Sequence, residues 1–74
     1  MDGYTPGTFV CSNEVYHEKT KRFIKGFVVR ALTPINDNQV IVRWTEQSGD
    51  GYNPEMDNQM VLMLKEHLQF SSDI

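Results

Sequence analysis

The sequence has one cysteine, Cys11, and two histidines, His17 and His67, among 74 residues. A lone cysteine cannot close an internal disulfide, and no C-x-x-C pair exists for metal or redox chemistry. The expected setting is a reducing, cytoplasmic one, in a chain held together by packing alone. No apolar run approaches the roughly 20 residues that a membrane-spanning helix needs. The opening Met1-Asp2-Gly3-Tyr4 has neither the basic segment nor the apolar stretch of a secretory leader, and none is expected. Glycine-rich phosphate loops are missing too. His17-Glu18 begins a string like that of zinc proteases, but Lys21 stands where the second histidine belongs, so the motif fails. Asp50, Asn53, Glu55 and Asp57 are oxygen donors without calcium-loop spacing, and Pro54 stiffens them. Cys11 alternates with Phe9 and reads as a small buried hydrophobe. For His67 a structural role is expected. Without an activated nucleophile, an orienting base or a metal set, neither an enzyme nor a cofactor is expected.

What is present is an ordinary globular composition: 39% hydrophobic, 11% aromatic and 23% charged. This predicts one domain over 1–74, with flexible ends at 1–7 and 71–74. So short a chain buries only about 60% of its unfolded surface, so nearly every large apolar side chain is wanted in the core. The charge is uneven. Lys19, Lys21, Arg22, Lys25 and Arg30 give +5 within 19–30, where no acid occurs. Residues 31–74 carry −5 and the first eighteen carry −3, for a net charge of −3. A net-acidic domain repels phosphate over a Debye length of ~8 Å. A local basic stripe still offers a grip for an acidic partner or a few phosphates.

Thr8-Phe9-Val10-Cys11-Ser12 is β-branched and aromatic and predicts a first strand. The polar stretch 13–22 reads as a long loop. Phe23-Ile24-Lys25-Gly26-Phe27-Val28-Val29 opens the strongest strand signal, and Gly26 within it marks a bulge or bend. After turn formers at 33–38, the segment 39–46 alternates: Val40, Val42 and Trp44 share one face, and Ile41, Arg43 and Thr45 the other. The two strands form a hairpin. The last third is two-sided. Asn53-Pro54-Glu55 matches a helix start. Met56, Met60, Met63, Leu64, His67 and Leu68 then fall at helical spacing. The same letters also read as a strand over 60–64, a single turn at 65–67 and a short strand over 68–70.

The order of features resembles the SH3-like small β-barrels, which include Tudor and KOW modules and accessory subunits of larger machines. The matching pieces are Pro6-Gly7-Thr8-Phe9-Val10, a long first loop, Lys25-Gly26-Phe27-Val28-Val29, a tight hairpin, Val40-Ile41-Val42-Arg43-Trp44, and Lys65-Glu66-His67-Leu68. The resemblance spans about 6–70 and implies an all-β, five-stranded barrel with Leu68 plugging the core. Its strands are placed at about 8–12, 23–32, 39–46, 60–64 and 68–70. The alternative is α+β, a three-stranded antiparallel sheet with a C-terminal helix over 54–69. The 47–59 loop is long and Met60–Leu64 lacks clean alternation, which depart from the barrel pattern.

Recognition is the remaining role. The expected function is a non-enzymatic binding module or accessory subunit that takes a protein partner on barrel loops and the basic stripe Lys19, Lys21, Arg22, Lys25 and Arg30. Tyr16 and Tyr52, in polar surroundings, are the exposed anchors. Trp44 is a further candidate, although its parity with Val40 and Val42 places it in the core. The alternative is a KOW- or Tudor-like nucleic-acid binder, with the cations on phosphates and Tyr16 stacking on a base. The molecule is expected to be a monomer or a weak homodimer, with Val61, Met63 and Phe70 as exposed apolar contacts.

Overall fold

The computed structural model describes residues 3–32 and 34–73. Five strands form one antiparallel sheet: β1 (Phe9–Ser12), β2 (Phe23–Ala31), β3 (Gln39–Ser48), β4 (Met60–Leu64) and β5 (Leu68–Phe70), in the order β4-β3-β2-β1-β5. The strands expected from the letters are all present, with β3 running two residues further than expected. The closed barrel is not. β4 and β5 end the sheet on opposite margins, and among the described residues no ladder joins them. The one-turn 3₁₀ segment Lys65–His67 carries the chain between them. It redirects β5 onto β1, where Val10 faces Phe70 and Ser12 faces Leu68.

The helix over 54–69 is overturned. Asn53 does cap a start, its side chain accepting the Glu55 N–H with Pro54 in the first position, but the turn ends at Met56. Asp57 returns to extended backbone and Asn58 takes a left-handed φ of 60°. Asn58 and Gln59 then bulge opposite Trp44: the Asn58 N–H donates to the Trp44 carbonyl, and the Trp44 N–H to the Gln59 carbonyl. Polar residues that compete for local hydrogen bonds thus break the helical stripe.

A second correction falls on the long first loop. Residues 14–20 form a helix, α1 (Glu14–Thr20). Its cause is Asn13, whose Oδ1 accepts the Tyr16 N–H at 3.1 Å. Lys21 ends it at φ 59°, returning its N–H to the His17 carbonyl. Asn13 also donates through Nδ2 to the Glu66 carbonyl at 2.7 Å, and its own N–H reaches the His67 carbonyl. One side chain therefore starts α1 and fastens it to the turn that delivers β5.

The core gathers Val10, Tyr16, Ile24, Val28, Val40, Val42, Trp44, Met63 and Leu68, with Cys11 and Ser12 buried beside it. Of the ends expected to be flexible, 1–7 and 71–74, the first makes contacts at Tyr4 and Gly7. The Gly7 N–H donates to Val28, and the Tyr4 ring lies 4.7 Å from Phe70. Residues 1, 2 and 74 of those ends lie outside the described residues. No helix among the described residues is long and apolar enough to cross a membrane.

The bend in β2 rests on Gly26. The β2–β3 register shifts between Lys25 and Gly26, and a Cβ at position 26 would meet the Arg43 carbonyl oxygen at 2.0 Å. Because that oxygen is backbone, relief requires the strands to part. Gly26→Ala is expected to lower unfolding free energy by about 3 kcal/mol, the upper end of ordinary overpacking costs. Denaturant titration followed by fluorescence of Trp44, the one tryptophan, measures this; an unchanged midpoint would contradict it.

Candidate protein-binding surface

The basic stripe does not act as one surface. Arg22 turns inward: it is half-buried, donates from Nη2 to the Tyr16 hydroxyl and from Nη1 to the Met56 sulfur at 3.0 Å. Its Cζ stands 5.6 Å from the Tyr16 ring centroid. The pair links α1 to the 3₁₀ turn Pro54–Met56. Lys19 and Lys21 are exposed at the end of α1, and Lys19 Nζ lies 3.3 Å from His67 Nε2. Lys25 is exposed on β2 and opposite Glu46, so an acid answers it across the ladder. Arg30 is five residues further along β2, roughly 16 Å at strand rise, in different company.

The aromatic anchors also separate. Tyr16, expected to be exposed, is 6% exposed; it is the one residue of α1 that enters the core, its ring 5.6 Å from that of His67. Trp44 is fully buried, as its strand parity indicates. Tyr52 is exposed in the long loop. There Asp57 organises the polar groups, accepting from Gln47 Nε2 at Oδ1 and from the Tyr52 hydroxyl at Oδ2, both at 2.7 Å. Among the described residues no three His, Cys, Asp or Glu side chains gather as metal ligands.

The surface that does assemble is the outer face of the sheet. On β3 the outward residues are those alternating with the buried Val40, Val42 and Trp44, so Ile41 and Arg43 point away from the core. Register carries this to the neighbours. Phe9, Phe27, Arg43 and Met60 form one cross-strand row, and Arg30, Ile41 and Leu62 the next. Phe9 and Phe27 meet edge to face at 6.5 Å. Met60 is 56% and Leu62 49% exposed, while Met63 is buried and Val61 and Phe70 are half-buried. The expectation that Val61, Met63 and Phe70 form the exposed contacts is thus corrected: they share the inward parity. Pro6, Val29, Leu32, Ile41, Met60 and Leu62 line an open groove of about 780 Å³, and Arg30 is its one charged lining residue.

The missed residues had a signal. Ile41 and Arg43 were already on the outer side by alternation. Met60–Leu64 lacks alternation because both of its faces are apolar, so its outer face had to be apolar as well.

No family model, curated protein or solved structure matches this chain.

Two measurements check these placements. Arg22→Ala is expected to lower unfolding free energy by about 1–2 kcal/mol, through a lost hydrogen bond to a charged group and lost stem packing. Lys25→Ala should change it by less than about 0.5 kcal/mol. Equal, small effects would return Arg22 to the solvated surface. The hydrogen bond to Asp57 raises the pKa of Tyr52, with lesser help from desolvation and from the carboxylate charge. A raised folded pKa stabilises the fold below the ordinary value of about 10, and that stabilisation is lost as pH rises through the folded pKa. In a site-resolved titration Tyr52 should ionise above its ordinary range, and Asp57→Asn should bring it down; no change in that variant would deny the contact.

Proposed function

We propose that this protein is a non-enzymatic binding module of the accessory-subunit kind, and that it takes a protein partner on the outer face of its sheet around Arg30. The observation that supports it is the contiguity of the apolar face. Isolated exposed hydrophobics are normal, whereas a joined patch of them with a polar rim is the usual signature of a docking site. Here Met60, Leu62, Ile41, Val29, Leu32 and Pro6 adjoin across three strands and a preceding loop. The SH3-like resemblance supports the same role: five antiparallel strands in meander order, with a single 3₁₀ turn delivering β5 to β1, suit that superfamily even with the sheet left open.

The nucleic-acid reading is weaker on two counts. Tyr16, its stacking residue, lies in the core, and Arg22 is committed to Tyr16 and Met56. What remains of the stripe is three exposed lysines and Arg30, which stands apart on the groove, in a chain of net charge −3.

Capture from the native source, run with matched variants, tests the proposal. One stoichiometric protein should be retained by wild type and by the Lys19, Lys21 and Lys25 triple alanine variant, and lost by Leu62→Glu. Capture indifferent to Leu62→Glu would overturn the face as the site. Tight RNA binding with a steep salt slope, abolished in the triple variant, would establish the nucleic-acid reading instead.

A further inference from the structure

The backbone of β4 adds a feature that side chains alone do not show. β4 is an edge strand, paired among the described residues only with β3. In an antiparallel ladder, opposed residues alternate between pairs that exchange both backbone hydrogen bonds and pairs that exchange none. Two bonds fix the phase here. The Lys65 N–H donates to the Asn38 carbonyl at 2.8 Å, and the Trp44 N–H to the Gln59 carbonyl at 3.1 Å. Counting inward from either end along the register, Val40 with Met63 and Val42 with Val61 are the bonded pairs. Ile41 with Leu62 and Arg43 with Met60 are unbonded ones, as is Gln39 with Leu64 at the strand's end. Met60 and Leu62 therefore aim a donor and an acceptor apiece away from β3, toward the open edge. These are also the two β4 residues whose side chains wall the groove.

Edge strands of natural proteins are usually blunted by a lysine, a proline or an inward charge. Met60–Leu64 contains none of these. The charged residues in its outward rows are arginines, while the acids nearest in sequence, Asp57 and Glu66, flank the strand's ends. Arg30 is the charged member of the groove, and Arg43 stands in the row of Met60, giving its Nη1 to the Asn58 carbonyl at 2.8 Å. Glu46, the acid on this side of β3, lies opposite Lys25. In a chain that is otherwise acidic, this face carries two arginines that no facing carboxylate in the ladder answers.

Building on the proposed protein-binding role, we infer that the occupant is an extended, acidic-apolar segment of a partner that joins the sheet as a sixth strand beside β4. Its main chain pairs with Met60 and Leu62, and its alternate apolar side chains extend the wall those residues begin. A carboxylate on the same face stands two strand spacings, roughly 10 Å, from the Arg43 backbone. An arginine and a glutamate side chain span that gap between them. Arg30, one strand further, adds long-range attraction.

The test uses the intact 74-residue protein and two synthetic seven-residue peptides in which threonine alternates with valine, glutamate and valine in one and with valine, lysine and valine in the other, so that the charge shares a face with the valines. Backbone amide exchange is read with and without peptide. The acidic peptide should slow exchange at Met60 and Leu62 at least about tenfold, with Val61 and Met63, already bonded to β3, unchanged. The basic peptide should bind at least about tenfold more weakly, and Arg30→Glu should narrow or reverse that preference. Leu62→Pro removes an N–H that β3 does not use, so it should keep the fold and lose the acidic peptide; the wild-type exchange measurement stands if the variant fails to fold. Binding that shifts the Val29, Leu32 and Ile41 side chains but leaves the Met60 and Leu62 amides exposed would overturn strand addition while keeping the face. Binding of neither peptide at millimolar concentration overturns the sixth strand; the face itself is then judged by the Leu62→Glu capture result. A concentration-dependent dimer abolished by Leu62→Pro would identify the occupant as a second copy and overturn the acidic partner.

Discussion

A Cβ at position 26 would stand 2.0 Å from the Arg43 carbonyl oxygen, so β2 and β3 meet there only around a glycine. That close approach organises the rest of the sheet. It shifts the register between Lys25 and Gly26, within a strand that pairs with β3 from Phe23 to Ala31 and with β1 through Lys25, Gly26 and Phe27. It sets Gly26 opposite the fully buried Trp44, with the Arg43 carbonyl and the Trp44 Cα occupying the space that a Cβ at 26 would take. The outer rows follow from the same register. Phe27 stands across from Arg43, and after a second irregularity between Val28 and Arg30, Arg30 stands across from Ile41. An arginine among apolar side chains on the groove thus follows from two bulges, one at Thr45 in β3 and one at Val29 in β2.

The strands were readable because their signals are local and agree with one another. Alternation in 39–46 matched β-branched composition, and Gly26 announced its bulge by being the wrong residue for a strand interior. The short helix was not readable from composition, since residues 14–20 are mostly polar and bury only Tyr16. Its real determinant is Asn13, whose cap also reaches Glu66 and His67, more than fifty positions away. A window along the chain does not contain that partner. The C-terminal helical stripe failed for the opposite reason. Its periodicity was sound, but a bulge opposite Trp44 claimed Asn58 and Gln59, and a tertiary ladder outweighed a local preference.

The site was legible only in part. Nearness in sequence grouped five cations that the fold distributes: Arg22 to the core's margin, Lys25 to Glu46, Arg30 to the far end of β2. A strand displaces successive charges by about 3.3 Å each and turns alternate ones away, so a cationic run through a strand is poor evidence for a cationic patch. Tyr16 shows the converse. Polar neighbours in sequence made it look exposed, yet on a helix those neighbours point elsewhere. Arg30 survives because the parity of Ile41, visible in the letters, leads through the register to Leu62.

A chain this small has few large apolar side chains to spare, and leaving Met60 and Leu62 half in water forgoes burial worth roughly 1.5–3 kcal/mol for each fully covered side chain. Their position is not an accident of crowding, because Val61 and Met63 between them do enter the interior. What chooses between the two pairs is the extra residue at the Asn58–Gln59 bulge. Face and hydrogen-bond direction alternate together along a strand, so a slip of one residue would turn Val61 and Met63 outward with their own amides freed. In either register the outward pair is also the pair with unspent backbone. The bulge selects Met60 and Leu62 and sets them in the rows of Arg43 and Arg30, which joins open edge, apolar wall and positive charge in one place. An acidic strand satisfies all of these at once; a ligand lying only on the face would leave the edge groups of Met60 and Leu62 to water.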